Sequence, residues 1–206
     1  MGKTMEKTTC QMVPAQSQTD LDKVHAAYRR DFPDNERKPF ALILESCRAG
    51  RSEILLYKEE EEIRCYAVNN ICSGYNCVLV DYLATDAQSR GKGYASAFMR
   101  GMAAHYHQKD ALLLEIEKLG AGSDEAENTL RERRWHFYQR LGFQMMPVSL
   151  VLYGVPMHLL WKPLAADGVP QDYTEFTEKY LDIYRRLMGP EWTGRHVQPA
   201  PLKNAE

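Results

Sequence analysis

The chain has 206 residues, 44% of them hydrophobic, which suits one sizeable domain with a full core and leaves too little for a second complete one. A formal net charge of −2 gives no global positive field, so nucleic acid and anionic membranes are poor partners and a cation is the easier one. No apolar run approaches a membrane span and the polar start MGKTMEKTTCQ is not a signal peptide, so a soluble cytoplasmic protein is expected. Five cysteines, at 10, 47, 65, 72 and 77, form no C-x-x-C pair; four lie in apolar patterns, where a reduced thiol acts as a small hydrophobe, and no metal site is expected.

In chain order, a short strand is predicted at Gln11 to Pro14, followed by a helix capped by Thr19 or Asp20 with Leu21, Val24, Ala27 and Tyr28 on one face. The segment from Asp31 to Arg37 breaks the periodicity, and Pro39 suits the first position of a second helix ending near Gly50. Glu36 lies in the loop between these helices. Strands follow at Ile54 to Tyr57 and Ile63 to Ile71, turned by the acidic run Glu59 to Glu62. A further turn at Ser73 to Asn76 delivers a central strand, Cys77 to Thr85.

The stretch VLVDYLATDAQSRGKGYASAFMRGMAAHY, from Val78 to Tyr106, runs strand, glycine turn, helix. Ala95, Phe98, Met99, Met102 and Tyr106 recur at helical spacing. The first turn of such a helix leaves amide N–H groups without intrahelical partners and adds the positive end of the macrodipole. Gly91 and Gly93 allow an anion to approach those donors, and Arg90 and Lys92 add charge. A P-loop is excluded, because Ala87 and Gly93 stand where glycine and Ser/Thr are required. A dinucleotide fingerprint fits weakly: Thr85 to Arg90 separate the strand from the first glycine, and residue 96 is Ser.

Downstream, Asp110 to Glu117 alternates as a strand with Leu113, Glu115 and Glu117 on one face. Lys118 to Glu127 reads as a loop. A helix then places Leu130, Arg134, Phe137 and Leu141 on one face, and Gly142 ends it. Leu150 to Tyr153 and Met157 to Trp161 read as a hairpin, Pro163 to Pro170 as a linker, Glu175 to Met188 as an amphipathic helix, and the residues after Pro190 as a loosely held tail. Helices and strands in this order make an α+β fold.

Two motifs carry a resemblance. Gln88-Ser89-Arg90-Gly91-Lys92-Gly93 resembles the Q/R-x-x-G-x-G/A motif of the GNAT-type N-acetyltransferase superfamily, and Phe137-Tyr138-Gln139-Arg140-Leu141-Gly142-Phe143 resembles that family's F-Y-x-x-L-G-F helix end. With VDYLAT and EIE, the likeness spans roughly Gln11 to Leu164, so residues 1–164 are expected to form a GNAT domain of bacterial type and 165–206 a C-terminal helical extension on or trailing from it. The fold implied is a mixed, largely antiparallel sheet with splayed central parallel strands flanked by helices.

The resemblance implies acetyl-coenzyme A as cosubstrate, bound along Leu83, Ala84 and Thr85 and, at its pyrophosphate, by Gln88, Arg90, Gly91, Lys92, Gly93, Tyr94 and Ala95. It implies an amide near Asp81 polarising the thioester carbonyl and Tyr138 protonating the leaving thiolate. An acceptor amine arrives protonated, with a pKa of about 10.4. Glu115 and Glu117 are suited to accept that proton, with Glu36 and Asp81 on the acceptor side. Arg131 stands where family members commonly carry Asn; it is a candidate contact to a coenzyme phosphate. The reading is acetyl transfer to an amine of a small molecule or peptide by a monomer or homodimer; a catalytically silent acetyl-coenzyme A sensor or scaffold is the alternative.

Overall fold

The computed structural model describes residues 10–72, 74, 76–165, 170 and 172–199. The turn expected at 73–76, the linker at 163–170 and the tail after residue 190 therefore lie partly outside the described residues.

Helix α1 (Gln18–Asp31) follows strand β1 (Gln11–Pro14), and its cap is Ser17, whose hydroxyl accepts from the Asp20 amide, two or three residues earlier than Thr19 or Asp20 would place it. Helix α2 (Phe40–Arg48) starts after Pro39. Strands β2 (Ser52–Glu59), β3 (Glu62–Cys72) and β4 (Cys77–Thr85) form an antiparallel meander. Helix α3 (Tyr94–His105) crosses over to strand β5 (Ala111–Glu117), which lies parallel to β4. Helix α4 (Glu125–Arg140) is capped by Asp124 and leads to the hairpin of β6 (Gln144–Leu152) and β7 (Val155–Pro163). Beyond it come helix α5 (Tyr173–Met188), helix α6 (Pro190–His196) and strand β8 (Val197–Pro199).

The eight strands order as β1-β2-β3-β4-β5-β7-β6-β8, all antiparallel neighbours except β4 and β5. Alternation along the strands sends Leu55, Ala67, Val78 and Leu112 to the face covered by α3 and α4. Ile54, Leu56 and Val68 meet α1 and α2 on the opposite face, and on that same face Leu79, Leu113 and Trp161 meet α5. Helix α5 buries Phe176, Tyr180, Leu181, Ile183 and Tyr184, each such side chain contributing roughly 1.5–3 kcal/mol.

Two expectations are corrected. Residues 190–199 are held: α6 packs on α5, and β8 pairs with β6 from Leu150 to Leu152. The buried side of α4 carries Arg131 and Tyr138, whereas Leu130 is 56% exposed, because α4 meets the sheet about one residue further round than its sparse apolar pattern suggested.

Candidate active site

Strands β4 and β5 pair only from Cys77 to Leu79 against Ala111 to Leu113 and then diverge. Val80 to Thr85 and Leu114 to Glu117 thus face each other across an unpaired wedge. The divergence coincides with a bulge in β4. Val68 pairs with Tyr82 and Asn69 with Val80, so Asp81 is the extra residue. A bulge takes its extra residue out of the ladder and re-phases the strand. Val80 therefore packs toward α3, Tyr82 toward α1 and α2, and the Asp81 side chain turns to the Tyr82 side, where it meets Lys38 and Asn70.

A cavity of about 620 Å³ occupies the wedge, and Glu36, Asp81, Glu115, Glu117 and Tyr138 all line it. The four carboxylates brought together by the fold differ in state. Asp81 is paired with the Lys38 ammonium, and it also accepts from the Asn70 amide at 2.9 Å. Glu117 is paired with Arg134; burial alone would raise its pKa, but the guanidinium outweighs burial and holds it below the usual carboxylate range. Glu115 points inward and accepts hydrogen bonds from Tyr180 and, at 2.7 Å, from Tyr184. Burial and the negative charge of Asp81 push its pKa up to about 7, against the lowering effect of Tyr184 and Lys38. Glu36 sits at the rim, raised by desolvation and by Glu117. Two of the four are thus neutralised by ion pairs, whereas among the described residues Glu36 and Glu115 form none, Arg134 and Lys38 acting on them only at longer range.

Tyr138 is 9% exposed, packed edge-on against Phe137 and Phe143, with its phenol pushed up to about 12 by burial. Its backbone carbonyl accepts from the Leu141 and Phe143 amides, which ties the turn after α4 to the helix end.

A second cavity of about 810 Å³ adjoins the first and shares Thr85, Arg90 and Arg134 with it. Gly91, Gly93, Tyr94 and Ala95 form one wall of this second cavity, at the start of α3. Gly91 and Gly93 adopt φ of +74° and +85°, a region that side chains disfavour, and a Cβ at either would find no atom within 4 Å. The opposite wall is α4, with Arg133 and Arg140. A cradle of open backbone facing the guanidiniums of Arg133 and Arg140 suits a polyanion such as a coenzyme pyrophosphate. Leu83 and Ala84 line the first cavity, whereas Gln88 and Lys92 line neither; the Gln88 amide caps onto Asp86.

Arg131 does not reach either cavity. Its guanidinium binds the Lys118 carbonyl at 2.9 Å and the Glu127 carboxylate, which pins the loop after β5 and corrects the expectation of a phosphate contact. Sequence reasoning missed Lys38, Arg133, Arg140, Tyr180 and Tyr184. The i, i+4 spacing of the two tyrosines on a helix was the available signal; a lone Lys before Pro39 gave none. Among the described residues no group of three His, Cys, Asp or Glu side chains is arranged to hold a metal.

Residues 50–145 match the family model described as an acetyltransferase (GNAT) domain. No curated protein matches the sequence. Among solved structures the chain is similar to a protein of Bacteroides thetaiotaomicron assigned to the GNAT acetyltransferases, with 17% identity and a TM-score of 0.67 over 87% of this chain and 99% of that one. It is similar to the ribosomal-protein-S18-alanine N-acetyltransferase of Escherichia coli (14% identity, TM-score 0.57, 79% and 99% covered). A third likeness is to the spermidine N-acetyltransferase of Vibrio cholerae in complex with CoA and spermine (10% identity, TM-score 0.57, 75% and 95% covered).

Proposed function

We propose that this chain, which carries a GNAT acetyltransferase domain, moves an acetyl group from acetyl-coenzyme A to an amine of a small molecule or peptide by direct attack. The observation that carries this reading is the adjacency of the two cavities: a basic, glycine-cradled one and an acid-lined one meet at Thr85, Arg90 and Arg134. A thioester held by the first would present its carbonyl beside the bulge at Asp81.

Each residue then has a task that its surroundings suit. Amides at Gly91 to Ala95, with Arg90, Arg133 and Arg140, take the pyrophosphate, and the free edges of β4 and β5 take the pantetheine arm. A backbone amide at the Asp81 bulge is the donor for the negative charge that develops on the carbonyl oxygen. Glu115, whose pKa burial raises to about 7, accepts the proton of the incoming ammonium, and Tyr138 gives a hydrogen bond to the departing sulfur. Glu36 at the rim favours a cationic acceptor. The Vibrio neighbour's polyamine makes polyamines the first acceptors to try.

The test is thiol release from acetyl-coenzyme A against a panel of polyamines, aminoglycosides, amino acids and peptide N-termini, with thermal shift by coenzyme A run in parallel. Transfer to one class, together with a thermal shift that Gly91→Val removes, is the expected result. A thermal shift without transfer to any amine favours the sensor or scaffold; a shift with NAD and none with coenzyme A overturns both.

A further inference from the structure

Helix α5 lies beyond the residues matched to the GNAT domain, yet two of its side chains end at the most deeply placed carboxylate of the cavity. Tyr180 and Tyr184 are 1% and 2% exposed and one turn apart, and both hydroxyls donate to the same atom, Oε1 of Glu115. Among the described residues no other residue's side chain donates to Oε2. The helix is fixed well enough to hold this geometry. Asp172 caps its first turn by accepting from the Thr174 and Glu175 amides, and Phe176 packs edge-on against Trp161 with ring centroids 5.4 Å apart. Tyr184 also lines the cavity, and its ring lies 5.0 Å from the Lys38 ammonium.

We infer that α5 is a working part of the acceptor site, in which Tyr184 and Tyr180 are positioning residues: their hydroxyls anchor Glu115 through Oε1 and present Oε2 to the acceptor amine. The inference rests on the acetyl-transfer reading for its use and on the hydrogen bonds for its existence. Two donors to one oxygen stabilise the ionised carboxylate against burial and fix its rotamer. Without them the remaining groups facing Glu115 are Asp81 from β4, Lys38 from the loop before α2 and Tyr153 from the β6–β7 turn. Asp81 opposes ionisation, Lys38 favours it but is shared with Asp81, and among the described residues the buried Tyr153 hydroxyl has no hydrogen-bond partner. Of the groups that favour the charged form of Glu115, the Tyr184 hydroxyl of α5 acts most strongly, ahead of Lys38 and the Glu115 backbone amide.

Two readouts separate this inference from the acetyl-transfer reading. The first is the titration of Glu115 itself, followed by the carboxyl carbon resonance in protein labelled at glutamate and assigned by loss of that signal in Glu115→Gln. Deleting one hydroxyl, in Tyr184→Phe or in Tyr180→Phe, is expected to raise the midpoint by about one to two pH units, the size of one hydrogen bond to a charged group. The second is the acid limb of kcat/KM for acetyl transfer to spermidine as probe amine. It is expected to move to higher pH by the same amount, with the alkaline plateau and coenzyme A binding retained. A midpoint that stays put in both variants overturns the anchoring, whatever the enzyme does. A midpoint that moves while the acid limb does not overturns the positioning role and releases Glu115 from the reaction. Should one variant fail to fold, the other carries the same test, because both hydroxyls meet the same atom.

Discussion

Lys38 and Asp81, 43 residues apart, form an ion pair that lines the cavity between β4 and β5, with side chains only 5% and 8% exposed. The Lys38 ammonium also faces the rings of Tyr184 and Tyr82. The bulge at Asp81 creates the opening between β4 and β5, so this pair clamps the irregular stretch of strand to the loop before α2. Breaking one partner of a buried pair leaves the other charge uncompensated, at a cost of about 3–5 kcal/mol. Lys38→Met is expected to lose stability of that order in urea denaturation, and Lys38→Met combined with Asp81→Asn to recover most of it. A loss below about 1 kcal/mol in the single variant would mean that water solvates the pair.

Glu115 links stability to pH. Its carboxyl titrates near about 7 in the fold, from burial first and Asp81 second, and near about 4.3 in an unfolded chain. Between those values the folded chain keeps the proton and the unfolded chain has lost it. The contribution is complete below the lower value and lost as pH rises through the higher one. Glu115→Gln removes the titration, so its stability relative to the wild type should climb across pH 4.5 to 7.5, by up to about 3 kcal/mol. Parallel denaturation curves at both ends of that window would contradict the assignment.

Tyr138 lines the cavity between β4 and β5 and packs between Phe137 and Phe143, where Tyr138→Phe keeps the ring and deletes the hydroxyl. A role at the departing sulfur predicts that kcat falls about ten-fold or more, general acid–base contributions being about 10²–10⁴. Melting temperature and coenzyme A affinity should hardly change. An unchanged kcat would leave Tyr138 as a packing residue.

The acid-lined cavity is less negative than its residue types imply, because Lys38 and Arg134 neutralise Asp81 and Glu117. On the proposed reading, Glu36 at the rim is then the main carboxylate left to meet a second positive charge. Glu36→Gln is expected to raise the KM of a dicationic amine several-fold more than that of a monocationic one, and to flatten its dependence on salt. Equal effects on both amines would remove Glu36 from acceptor recognition.

Alternation and helical spacing determined where β1, β4, β5 and α3 lie, since these are properties of neighbouring residues. The glycines at 91 and 93 and the Phe137 to Phe143 helix end, which carry the resemblance, were legible for the same reason. Glu115 and Glu117 were placed on one face by strand period alone. What they are chemically was decided by residues far along the chain: Tyr184 reaches Glu115 across 69 positions, Arg134 meets Glu117, and Lys38 meets Asp81. The bulge belongs to this second class, because an extra residue in β4 exists only relative to the register of β3. A pattern read along one strand reports which way side chains point, while the charge each carries depends on partners that only the packed sheet and α5 bring within hydrogen-bonding distance.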